Sequence, residues 1–110
     1  MLDLRLYMAQ RLSALVMAPL VLGHIAVMIY AIQGGLSTAE ILGRTQGSLL
    51  WFLFYGTFVI AVSVHAAIGV RVIAHEWLRL RGIALGMLTW GICAALLALG
   101  LSAVVAVTLP

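Results

Sequence analysis

Three stretches of the sequence, residues 12–32, 48–70 and 83–109, carry no charged side chain. The hydrocarbon core of a bilayer is about 30 Å thick and is crossed by ~20 apolar residues of helix, so each stretch is long enough to span it, the third with some tilt. In hydrocarbon the backbone polar groups must be satisfied within the segment itself, which selects helix. The expected fold is therefore an all-α membrane protein. It has three transmembrane helices at about 12–32, 48–74 and 83–109, in one domain over residues 1–110. Only 8% of residues are charged and 65% are hydrophobic, against roughly a quarter charged in a soluble domain, and this excludes a water-soluble fold.

The links are short. The first segment, MLDLRLYMAQR, has charge but no small-residue cleavage site after a short apolar core, so the helix after it is expected to be retained. Gly34 and Gly35 end that helix, and Ser37 with Glu40 has the spacing of a capping box, which predicts a brief interfacial helix over about 37–46. The second link, from His75 to Gly82, holds Glu76, Trp77, Arg79 and Arg81 and belongs in water or among headgroups.

All six cations are arginines, five of them (Arg5, Arg11, Arg71, Arg79, Arg81) at one end of the expected bundle and only Arg44 at the other. The excess of positive charge marks the cytoplasmic side, so the N-terminus is expected in the cytoplasm and the C-terminus outside. There is no basic groove for a nucleic acid. Trp51, Trp77, Tyr7 and Tyr30 stand near helix ends, as interfacial aromatics do. The lone Cys93 allows no internal disulfide and reads as a small buried hydrophobe. Small residues at Gly56, Ala61, Gly69, Gly86, Gly91, Ala95 and Gly100 suit close helix packing, and so small a bundle is expected beside other membrane chains.

Two ionisable groups fall inside the apolar stretches, His24 and His65. Such groups are costly in hydrocarbon and mark function. No nucleophile–base set and no group of three zinc ligands accompanies them, so this chain supplies no catalytic residue. Imidazole in a dry bundle is a ligand for haem iron. Rise alone places His24 about 20 Å past Arg11 and His65 about 9 Å before Arg71, an offset of roughly 10 Å between antiparallel helices. They are poorly placed to clamp one iron, so each needs a further ligand from another chain or copy. Gly69, one turn beyond His65, would let a flat macrocycle approach, and Arg71 could pair a propionate. The plainer alternative makes each histidine an interhelical hydrogen bond and Arg71 a snorkelling cation.

The run His65-Ala66-Ala67-Ile68-Gly69-Val70-Arg71, followed by Glu76, resembles the His-x-x-x-Gly-x-Arg…Asp segment of the cytochrome b membrane anchor of succinate dehydrogenase and fumarate reductase (complex II). The family's histidine after the arginine is Val72 here, with His75 three positions on. Gln10-Arg11-Leu12-Ser13-Ala14 is similar to the family's Ser-x-x-His-Arg-x-Ser/Thr-Gly stretch, with Gln10 and Ala14 in place of the histidine and glycine. Pro19 followed by His24 is similar to helix one of the di-haem anchors. The resemblance covers about residues 7–77. It implies His65, and His24 in di-haem relatives, as iron ligands of one or two haem b groups, with Gly69 and Arg71 at the haem. It implies Arg11 and Ser13 at a quinone, ubiquinone or menaquinone.

As partners the resemblance implies flavoprotein and iron–sulfur subunits, a second membrane-anchor chain supplying the other haem ligands, and the lipid bilayer. The location it implies is a bacterial inner membrane, crossed several times. The expected role is a non-catalytic electron-transfer subunit of succinate:quinone oxidoreductase. The alternatives are a haem-free anchor or assembly subunit and a small proton-conducting subunit, the latter weakened by the lack of an intramembrane carboxylate partner.

Overall fold

Each of the first three helices starts where a short polar side chain satisfies a backbone N–H that the helix cannot. Asp3 accepts from the Leu6 N–H at 2.9 Å, Ser37 from Glu40 at 3.2 Å, and Ser48 from Trp51 at 3.2 Å. The computed structural model describes residues 3–110. It has four helices, α1 (Leu4–Gly34), α2 (Thr38–Thr45), α3 (Leu49–Leu78) and α4 (Gly82–Thr108), and no strand among the described residues. Three of them, α1, α3 and α4, are long and apolar enough to cross a membrane.

The helices outrun the apolar windows that predicted them. α1, of 31 residues, takes in Arg5 and Arg11, and α3, of 30, continues through Arg71 and His75. At 1.5 Å per residue these are about 45 Å long, so their charged ends emerge beyond a hydrocarbon core of about 30 Å. α1 runs unbroken through Pro19, whose missing N–H leaves the Leu15 carbonyl without its usual donor. The long dimension of the molecule is 47 Å. Its surface is inverted relative to a soluble protein, with Leu22 70% and Leu99 72% exposed, as lipid or neighbouring helices require.

α3 is the central helix, packed on α1 and on α4, while α1 and α4 scarcely meet. α4 offers α3 the stripe Leu85, Thr89, Cys93, Gly100 and Val104. A Cβ on Gly100 would lie 2.5 Å from Val59 Cγ1, so glycine is what allows this approach. Gly56 and Ala61 are buried as expected, but Gly91 and Ala95 face outward, because α4 has a single packing partner among the long helices and they lie off that stripe. Cys93 is buried.

The short helix α2 closes the opposite end. Gly35 takes φ 118°, and the Glu40 carboxylate fills the space a side chain there would need. Arg44 donates to the Gly35 carbonyl at 2.9 Å and lies 5.7 Å over the Tyr30 ring. The last carbonyls of α4, which have no partner in their own helix, accept from Thr45 Oγ1 (Val107 O, 2.7 Å) and from the Gly47 N–H (Thr108 O, 2.7 Å). Gly100→Leu should lower the unfolding free energy in detergent by about 1–3 kcal/mol through overpacking. Gly91→Ala, on an open face, should change it by less than about 0.5 kcal/mol.

Candidate functional site

Serine and threonine in a helix commonly turn their hydroxyl proton back to a carbonyl of the preceding turn. Ser13 does so, donating to the Gln10 carbonyl at 3.0 Å. It is buried between α1 and α3, and its Oγ lies 3.4 Å from Nδ1 of His65. The half-buried His65 is thus held by one ring nitrogen. Nε2 makes no hydrogen bond among the described residues and reaches the surface, because the single buried, unpartnered side-chain polar atom among them is Gln10 Oε1. Gln10 lies against Gly69, where a Cβ would meet its amide nitrogen at 3.7 Å. One bare imidazole nitrogen, one small residue a turn away and one orphaned acceptor therefore share a level between α1 and α3.

Arg71 sits two turns toward the arginine-rich end. Its guanidinium donates to Thr89 Oγ1 at 3.2 Å, and Thr89, fully buried, passes its own proton to the Leu85 carbonyl at 2.8 Å. Arg71 has several further N–H donors, and it lines a hollow of about 550 Å³ with Tyr7, His75, Glu76 and Arg81. His75 Nδ1–H donates to the Leu80 carbonyl at 2.9 Å across the α3–α4 turn. Arg11 is exposed, 5.7 Å over the Tyr7 ring, so Tyr7 joins it to the rim of the same hollow.

His24 lies apart from these residues. Its ring packs 5.2 Å from Phe58 and 6.3 Å, edge-on, from Tyr55. It lines a mainly apolar pocket of about 550 Å³ toward the α2 end, together with Val59, Ser63 and Gly100. Phe58 and His65 are seven residues apart on α3, a rise of about 10 Å, so the two imidazoles occupy different levels.

Among the sequence-predicted residues, the structure brings Ser13 to His65 and leaves Arg11 and His24 separate from that pair. Two contributors lie outside the predicted set. Thr89 is a lone hydroxyl in an apolar stretch of α4, a visible signal, whereas the isolation of Gln10 Oε1 arises only once α1 and α3 are packed. Thr89→Val, which keeps the shape and removes the hydroxyl, should lower stability in detergent by about 1.5–3 kcal/mol, the range for a hydrogen bond to a charged group. Arg71→Leu with Thr89→Val should cost less than the sum of the two single changes.

The family model for the succinate dehydrogenase/fumarate reductase transmembrane subunit matches residues 2–108. No curated protein and no solved structure matches the chain. With three membrane-spanning helices and a family match over nearly its whole length, the chain belongs to the succinate dehydrogenase/fumarate reductase transmembrane subunit family.

Proposed function

We propose that the chain is a cytochrome b membrane anchor of a succinate:quinone oxidoreductase, with His65 as an axial ligand of haem b. The observation that carries this reading is the half-bonded ring: Nδ1 engaged by Ser13, Nε2 open. An imidazole tied by one nitrogen and free at the other is the arrangement of a metal-ligating histidine. This chain would supply one haem ligand, His65, and another would come from a second chain, for which α1 has free surface, since Ser13 is its single buried residue.

When bound, haem supplies a one-electron carrier between iron–sulfur clusters and quinone. The chain's own part is positional. His65 would hold the haem iron through its open Nε2, Gly69 would keep the approach clear, and Arg71, steadied by Thr89, would offer its remaining donors to a propionate. Arg11 stands open at the same end for a quinone carbonyl, with Ser13, buried beside His65, close to it on α1. Ubiquinone and menaquinone fit this chemistry equally. The flavoprotein and iron–sulfur subunits would dock at the arginine-rich end, on the cytoplasmic side of a bacterial inner membrane.

His24 would ligate a second haem if there are two, at its separate level. A structural role for it has its own support, the packing against Phe58 and Tyr55. The purified membrane complex should show a b-type band in its dithionite-reduced minus oxidised spectrum, and His65→Ala should abolish it in a one-haem protein and halve it in a two-haem protein, with assembly retained; a full band in His65→Ala would remove His65 from the haem site. A wild-type complex without the band would end the haem reading and favour a haem-free anchor. His24→Ala should lower haem content by half in a two-haem protein and leave it unchanged in a one-haem protein.

A further inference from the structure

A hydroxyl has one proton to give, and at Ser13 two acceptors compete for it. The Gln10 carbonyl lies at 3.0 Å and Nδ1 of His65 at 3.4 Å. The nearer carbonyl can only accept. The proton therefore goes to Gln10, the Ser13 oxygen is left with lone pairs, and the contact to His65 is favourable only if Nδ1 carries the imidazole proton and donates it. Ser13 is buried where α1 packs on α3, so its oxygen faces the His65 ring between two packed helices.

We propose that Ser13 is a positioning residue that fixes His65 as the Nδ1–H tautomer and so presents Nε2 as a bare lone pair. The inference rests on the haem reading for its purpose but not for its geometry. Ring orientation and ligand basicity are set by the group on the second nitrogen. A Ser13 acceptor makes the imidazole a stronger donor, which stabilises ferric over ferrous iron, so its removal raises the haem potential.

Two measurements test this separately. The first uses the full chain in liposomes without haem, labelled with ¹⁵N-histidine and with the His65 signal assigned by its loss in His65→Gln. The ¹⁵N shifts should place the proton on Nδ1 in the wild type and mainly on Nε2 in Ser13→Ala, with Ser13→Thr restoring the wild-type pattern. A wild-type proton on Nε2, or an Nδ1–H signal that persists in Ser13→Ala, overturns the proposal.

The second is a redox titration of the assembled complex. Ser13→Ala should keep its haem but shift the ferrous-to-ferric ratio at fixed potential about tenfold toward ferrous, some 59 mV for a one-electron couple. Ser13→Thr should again restore it. An unchanged potential in Ser13→Ala overturns the role at the iron. A wild-type complex without haem overturns the haem reading instead, and the ¹⁵N shifts still decide the tautomer.

Discussion

Hydrocarbon offers polar side chains no water, and this one constraint determines which of them remain free to act. Ser63, Thr89 and Thr108 donate to carbonyls four residues back, and Ser13 to one three back. With its proton committed inside its own helix, a hydroxyl can meet a neighbouring helix as an acceptor. Thr89 accepts from Arg71, and Ser13 Oγ lies 3.4 Å from Nδ1 of His65. The polar links that join α3 to its two neighbours are thus also the contacts that orient Arg71 and His65.

That arrangement divides the molecule along its length. At one end stand five of the six arginines, two of which, Arg71 and Arg81, line a hollow with His75 and Glu76. At the other, α2 folds over the end of α4 and Arg44 is the sole cation. A central α3 with α1 on one side and α4 on the other leaves most of α1 uncovered. That uncovered face of α1 is open to lipid or to a neighbouring chain.

Much of the fold is legible in the sequence, because crossing a bilayer imposes a length on each apolar stretch and the capping serines mark where α2 and α3 begin. The helix ends are less so. α1 starts at Leu4 because Asp3 caps it and a helix can carry arginines past the hydrocarbon edge, so the apolar window at 12–32 marks its immersed part only. The packing faces of α4 are ambiguous for a further reason. Gly91 and Ala95 are as small as Gly100, and which of them meets α3 depends on a rotation about the helix axis that nearly uniform hydrophobicity does not encode. At the site, the candidacy of His24, His65 and Arg71 follows from polarity alone. The pairing of Ser13 with His65, residues 52 apart in the chain, is a product of packing.

The account stands on Nε2 of His65 being the atom that meets iron. A density map of the intact membrane complex, at a resolution that separates ring atoms, addresses this directly. The account predicts a haem between α1, α3 and a neighbouring chain, its iron bonded to Nε2 of His65 and a propionate at Arg71. A map in which Nε2 is bonded to protein or lipid, with no macrocycle beside Gly69, would contradict it.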